Sequence, residues 1–170
     1  MAGKSYANLM ADNAVYHSSI PGVVFGSQAV YPGRKGRYVR VQLAGSGVMQ
    51  LAEVVVLGLP ASSVAPDLSR LRNVALGKTA TQSSTANGAS AALAVDGNPD
   101  GTLARKSVTQ TNAENAPWWE VDLGASTPLQ SVTLYNRTDC CKNVLANYTL
   151  LVSEAPMAGR TLADLDADGK

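Results

Sequence analysis

The sequence predicts an all-β, antiparallel sandwich or barrel. Two observations point there: several short segments alternate apolar and polar residues with period two, and clusters of Gly, Ser, Asn and Pro separate them. Hydrophobic residues make up 45% of the 170 positions, which suffices for one core of ordinary size. Only 16% of the residues are charged and the net charge is +1, so the chain carries no electrostatic footprint for nucleic acid. No apolar run approaches the ~20 residues that span a bilayer, which excludes membrane insertion by a helix. The N-terminus lacks the charged start and continuous apolar core of a signal peptide.

Taken in chain order, Tyr6 to Val15 reads as a short helix and Pro21-Gly22 as a turn. Arg37 to Leu43 alternates as a half-buried strand, Gly45-Ser46-Gly47 turns the chain, and Leu51 to Leu57 is a second strand. Leu59 to Arg72, with Pro60 and Pro66 among small polar residues, reads as a linker. Ala89 to Val95 is a second short helical stretch, and Gly97-Asn98-Pro99 is a turn. Trp119 to Leu123 alternates again. Leu129 to Tyr135 and Tyr148 to Val152 follow as strands, the first of them after Gly124-Ala125-Ser126. Alternation sends Trp118 and Trp119 to opposite faces, and a large aromatic beside Pro117 reads as packing rather than as a ligand platform.

The two ends of the chain match each other. Met1 to Asp12 aligns without gaps with Met157 to Asp168, 156 positions apart, and several of the differences are conservative, such as Lys4 against Arg160 and Ser5 against Thr161.

Cys140 and Cys141 are the only cysteines, so within the chain they either bond each other or stay free. Adjacent Cα atoms lie about 3.8 Å apart, below the usual disulfide window, so a bridge between them closes a small strained ring of the kind found at functional sites. Such a bridge needs an oxidising setting, which points to an extracellular or periplasmic origin. A flat sulfur patch beside the cation of Arg137 and the carboxylate of Asp139 suits a ligand with one apolar face and several hydroxyls, a sugar.

Four segments together carry a resemblance: Asn73 to Ser84, Ala94-Val95-Asp96-Gly97-Asn98, Trp118 to Leu123, and Asn136-Arg137-Thr138-Asp139-Cys140-Cys141. They resemble the F-type lectins, or fucolectins, which are calcium-containing jelly-roll domains of the discoidin-like, galactose-binding superfamily. The paired cysteines after Arg-x-Asp are the specific part of the match. The implied fold is an antiparallel jelly-roll β-sandwich. Its order is rearranged, because Gly36 to Leu43 and Leu51 to Gly58 resemble the last strands of such a domain yet precede its first.

That inversion and the terminal repeat explain each other if the source is a tandem array cut out of phase. Residues 1–58 are then the C-terminal part of one copy, 59–72 the linker, and 73–170 the N-terminal part of the next, with 157–170 repeating 1–14. The halves form one circularly permuted domain, either in cis as a monomer or by exchange between chains in a domain-swapped oligomer.

The resemblance implies a fucose pocket with Arg137 and Asp139 as polar contacts and Cys140-Cys141 as the vicinal bridge beneath the sugar ring. The family's His position, separated from Arg137 by 26 intervening residues, holds Gln110, and the second basic position, separated from Asp139 by four intervening residues, holds Val144. Gln110 still donates and accepts hydrogen bonds, and Lys142 offers a donor from another angle. Losing a bidentate arginine is not conservative, so weak binding or a shifted sugar preference is expected. For Ca2+ the resemblance implies the side chain of Asp96, the carbonyls of Leu93 and Asn98, Ser107, the carbonyl of Ala52 and the side chain of Glu53.

Catalysis finds little support. His17 is the single histidine, and Glu114, Glu120 and Asp122 are not brought together by any pattern in the sequence. The expectation is a calcium-stabilised lectin for fucosylated or related glycans, extracellular, and not an enzyme. The alternatives are a discoidin-like spacer or protein-contact module that has lost sugar binding, and a fragment of an enzyme whose catalytic domain lies elsewhere. Asn136-Arg137-Thr138 and Asn147-Tyr148-Thr149 also fit the glycosylation pattern.

Overall fold

A computed structural model describes residues 15–59 and 68–168. The expected helix over Tyr6 to Val15 (Val15 itself excepted), the whole N-terminal copy of the repeat and the middle of the linker lie outside these described residues. Ten strands dominate the described residues: β1 (Tyr16–Val23), β2 (Ser27–Val30), β3 (Arg34–Leu43), β4 (Ser46–Gly47), β5 (Glu53–Gly58), β6 (Arg72–Asn73), β7 (Thr79–Gln82), β8 (Glu114–Asn115), β9 (Trp118–Tyr135) and β10 (Ala146–Ser153). Among the described residues one α-helix, α1 (Leu162–Asp168), follows them. Every pairing is antiparallel, and the main sheet runs β1-β10-β3-β9-β5-β6, with β2 and β7 also on β9.

β9 organises the sandwich because it serves two neighbourhoods in turn. Trp118 to Asp122 pairs with β3 and, from Trp119, with β7; Thr127 to Leu129 rejoins β3, Leu129 to Tyr135 pairs with β5, and Val132 to Tyr135 also with β2. The two expected strands Trp119 to Leu123 and Leu129 to Tyr135 are thus one long strand, and Gly124-Ala125-Ser126 lies where pairing with β7 has ended and the register with β3 is interrupted before it resumes at Thr127, rather than in a turn that ends the strand. Val39, Val41, Trp119 and Val121 from one half and Val54, Val56, Val132 and Leu134 from the other join a single buried core, as their period-two spacing requires. Trp119 is fully buried, and its indole N–H donates to the carbonyl of Ala91 at 2.9 Å.

Two expectations are corrected here. Pro21-Gly22 is not a free turn. It lies inside the edge strand β1 as a bulge between Ile20 and Val23, a position where a missing N–H and a local kink are tolerated. Ala89 to Val95 contains only a 3-10 turn at Ala91–Ala94.

The early and late segments form one fold. β5 is bonded along β9, and β6 returns beside the end of β5, with Leu57 opposite Asn73 and Gly58 opposite Arg72. Leu59 and Arg72, the two ends of the expected linker, therefore flank one hairpin-like closure.

Trp118, Arg40 and Glu120 occupy the outer face of the β3–β9 pair. Arg40 and Glu120 are register partners, both buried, with Nε donating to Oε2 at 2.9 Å, and the guanidinium stacks over the Trp118 ring at 4.3 Å. Burial pulls the pKa of Arg40 down and pushes that of Glu120 up, while each charge opposes the shift of the other. The segment after β10 covers this face. Met157 and Leu165 are buried with Val15 and Leu151 in a second, smaller apolar cluster.

Candidate functional site

Asn136, immediately after β9, holds the loop that carries the expected sugar contacts. It is 1% exposed. Its amide nitrogen donates to the carbonyls of Val24 and Lys142 at 2.8 Å each, and its side-chain oxygen accepts the N–H of Arg137 at 2.7 Å. Its own N–H donates to the carbonyl of Gly26 at 2.8 Å. Three segments are thereby tied at one buried side chain. The Asn136-Arg137-Thr138 triplet does not serve as a glycosylation acceptor in this fold, since its amide is enclosed and occupied. Asn147 is exposed, with its side-chain oxygen accepting the N–H of Gly22 at 2.9 Å.

On this anchor Arg137 and Asp139 form a two-pronged pair, Nε to Oδ1 at 2.5 Å and Nη2 to Oδ2 at 3.3 Å. Asp139 also accepts the N–H of Cys140 at 2.8 Å and that of Leu103 at 3.2 Å. The bond from Arg137 is the largest of the influences that hold the Asp139 carboxyl below the usual carboxylate range. Cys140 and Cys141 are bonded to each other across a Cα separation of 3.8 Å, and Cys141 is exposed with φ of +53°. The arrangement presents a fixed planar donor, a fixed acceptor and a solvent-facing sulfur ledge within five consecutive residues.

The remaining expected sugar positions are not all drawn into this group. The Gln110 side-chain oxygen accepts from Gln50 Nε2 at 2.8 Å, and among the described residues no hydrogen bond joins Gln110 to Arg137 or Asp139. Lys142 is exposed, with its carbonyl committed to Asn136. Val144 lines a cleft of about 330 Å³ together with Leu43, Ser46, Val48 and Asn143, so apolar surface stands where the family pattern has a cation.

Glu53 and Asp96 are brought together from distant parts of the sequence. Glu53 opens β5, is 1% exposed, and has no hydrogen-bond partner on either carboxylate oxygen. Burial first and the charge of Asp96 second push its carboxyl up to about 7. The N–H groups of Gly97 and Asp96 pull the other way without closing a bond of ordinary geometry. Among the described residues no ion pair reaches Glu53 or Asp96. An orphaned buried carboxylate beside a second acid is costly unless a cation joins them.

The other expected oxygen donors surround this acidic pair in sequence. Leu93 lies in the 3-10 turn just before Asp96, and Ala52 directly precedes Glu53. Asp96 Oδ1 accepts the N–H of Asn98 at 2.8 Å, and Asn98 Oδ1 accepts that of Asp100 at 3.1 Å, so the loop is a chain of Asx turns. Ser107 is buried, and its hydroxyl donates to the carbonyls of Asp100 and Thr102. Groups of three or more His, Cys, Asp and Glu side chains suited to a metal are absent among the described residues. A cation at Glu53 and Asp96 would have to draw its further ligands from carbonyl and hydroxyl oxygens, the donor type that suits a hard ion such as Ca2+.

The two loops touch at Gly101, a contact that pattern reading missed. Its carbonyl accepts the N–H groups of Thr138 at 2.8 Å and Asp139 at 3.4 Å. A Cβ at Gly101 would stand 2.6 Å from Thr138 N and 2.8 Å from the Asn136 carbonyl, so only glycine permits this approach. The importance of Asn136 was equally hidden, because its role depends on burial between three segments. Only the small residue at Gly101 in a polar loop offered a signal.

Residues 93–169 match the family model described as NedA-like, galactose-binding domain, of the F5/F8 type C group. Fucolectin-1 of Anguilla japonica is 33% identical over 113 residues, covering 64% of this chain and 64% of its own length. Fucolectin-5 is 34% identical over 115 residues (64% and 61%), and Fucolectin-4 39% over 99 residues (55% of each), both from the same eel. The chain thus spans less than two thirds of the length of these curated relatives. The antiparallel strands and the match over residues 93–169 are consistent with an all-β, galactose-binding-like sandwich. The similarity to the eel fucolectins is partial and is of the kind that the resemblance read from Arg137 to Cys141 implied.

Proposed function

We propose that this chain is a carbohydrate-binding lectin module for fucose or a related sugar, and not an enzyme. The observation that carries the reading is the guanidinium of Arg137, locked in plane by Asp139 beside the exposed Cys140–Cys141 bridge. A planar fork of donors suits vicinal hydroxyls, and the flat disulfide suits the apolar face of a pyranose ring. Lys142 stands exposed on the same loop as a further donor. Named fucolectins among the similar proteins favour fucose as the first ligand to test. The disulfide and these relatives favour an extracellular setting.

Ca2+ is the stabilising ion of this reading. The side chains of Glu53 and Asp96, the carbonyls of Leu93, Asn98 and Ala52, and Ser107 would hold it. Bound there, the ion supplies the positive charge that the two acids otherwise lack. Because the same loop meets Thr138 and Asp139 at Gly101, holding it also steadies the sugar loop.

We further propose that the chain is one circularly permuted domain from a tandem array. Residues 73–156 joined to 1–58 make up one copy, 59–72 the linker, and the assembly is a monomer closed in cis. The antiparallel return of β6 along β5 supports this, since it keeps the linker ends adjacent. Calcium-dependent binding on a glycan array, lost in Arg137→Ala, is the expected result.

A second reading has its own support. Gln110 is engaged by Gln50, and Val144 is apolar, so two polar contacts of the family pattern are missing. A module with that loss serves as a spacer or protein-contact domain. A folded protein, calcium-loaded, that binds no glycan on the array selects it.

A further inference from the structure

The outer face of the β1–β10–β3–β9 layer carries an apolar groove, filled in the structure by the segment that follows β10. Met157 and Leu165 are fully buried there against Val15 and Leu151, with Leu162 half-buried at the side. Polar contacts fix the register. Met157 N–H reaches Glu120 Oε1 at 3.4 Å, and the Arg160 carbonyl accepts from Arg40 Nη1 at 3.4 Å. A turn bonded from Arg160 N–H to the Met157 carbonyl passes through Gly159 at φ of +77°, a conformation that side chains resist. Thr161 and Asp164 then cap α1 reciprocally, Asp164 N–H on Thr161 Oγ1 at 3.2 Å and Thr161 N–H on Asp164 Oδ2 at 2.9 Å.

Each of these requirements is met a second time in the same chain. The N-terminal repeat places Met1 at the position of Met157, Gly3 at Gly159, Ser5 at Thr161, Tyr6 at Leu162, Asn8 at Asp164 and Leu9 at Leu165. Buried positions stay apolar, the turn stays glycine, and both cap partners keep their oxygen. The topology gives both copies access. Tyr16 pairs with Val152, so the chain before β1 and the chain after β10 leave the same end of the same strand pair, and Val15 itself lines the groove.

We propose that this groove is a docking site with two alternative occupants from one chain, residues 157–168 as seen here and residues 1–12, which replace them within the same molecule. Attachment at the groove's edge makes both bindings intramolecular, so neither depends on protein concentration. His17 adds a bias. Its Nε2 lies 3.3 Å from Asp166 Oδ1, where the other copy has Met10, so occupancy by residues 157–168 keeps a polar contact that the alternative lacks. This inference rests on the groove and the repeat and holds whether or not the module binds sugar.

The test uses the full chain with Leu9→Asp, Leu165→Asp and both together. Each single variant should melt within ~2 °C of the wild type, because the other copy takes over, whereas the double variant should lose ~6 °C or more for a chain of this size. Hydrogen exchange adds a direct reading: amides of residues 1–12 should gain protection in Leu165→Asp, with the native mass remaining that of one chain. The inference is overturned if Leu165→Asp alone loses as much as the double variant, or if residues 1–12 gain no protection in it. Protection that appears only with rising concentration and a doubled mass would transfer the occupant to a second copy and overturn the proposal as stated.

Discussion

Replacing Glu53 with Gln, in the presence and absence of calcium, probes the ion that this account places between two halves of the chain. In the metal-free protein the Glu53 carboxyl is pushed up to about 7 from an ordinary 4.5 by burial and by Asp96. A folded-state pKa above the unfolded value means that the fold prefers the protonated group. The stability this provides is complete below about pH 4.5 and is lost as pH rises through about 7. Holding the ionised form at about pH 8 costs the metal-free fold on the order of 3 kcal/mol. Glu53→Gln removes that cost, so the metal-free variant should melt ~6–12 °C above the metal-free wild type at about pH 8 and match it near pH 4.5. Calcium reverses the order, because an ionised carboxylate is what the ion binds; it should raise the wild-type melting temperature and leave Glu53→Gln unmoved. Thermal melts at the two pH values, in chelator and in millimolar calcium, read all four corners. Equal calcium shifts in the two proteins, or parallel pH profiles, would refute the assignment of Glu53.

Other perturbations separate binding from folding. Arg137→Ala should abolish sugar binding by calorimetric titration while the melting temperature stays nearly unchanged, since its pair with Asp139 lies at the partly exposed edge of the loop. Asn136→Ala strands two carbonyls and the N–H of Arg137 and should cost on the order of 3 kcal/mol in urea unfolding as well as binding. Gly101→Ala forces a Cβ against the backbone of Thr138 and Asn136, so it should weaken calcium and sugar binding together in the same titrations. Glu120→Ala leaves the enclosed guanidinium of Arg40 without its carboxylate and should cost about 3–5 kcal/mol, measured by chemical denaturation.

Much of the fold was legible because its strands follow period two. Val39, Val41, Trp119 and Val121 alternate with polar neighbours, and all four are in the core. β1 and β2 were not legible, because an edge strand containing Pro21-Gly22 and a short half-exposed strand carry little apolar pattern. The continuity of β9 through Gly124-Ala125-Ser126 was hidden too, since an irregular stretch inside a paired strand and a turn use the same residues. At the site, the cluster from Arg137 to Cys141 was readable because it is contiguous. The approach of Glu53 to Asp96 followed only from resemblance, and the anchoring by Asn136 and Gly101 followed from neither, because both depend on contacts between segments far apart in the chain. Gln110 shows the limit of spacing as an argument: it falls at the expected interval, yet its side chain is bonded to Gln50.

The most direct measurement is a crystal structure of this chain grown with calcium and soaked in fucose. The account predicts an ion touching both Glu53 and Asp96 and a sugar ring lying on the Cys140–Cys141 bridge with hydroxyls on Arg137. An empty ledge at saturating fucose, or a sugar held elsewhere with Arg137 untouched, would contradict it.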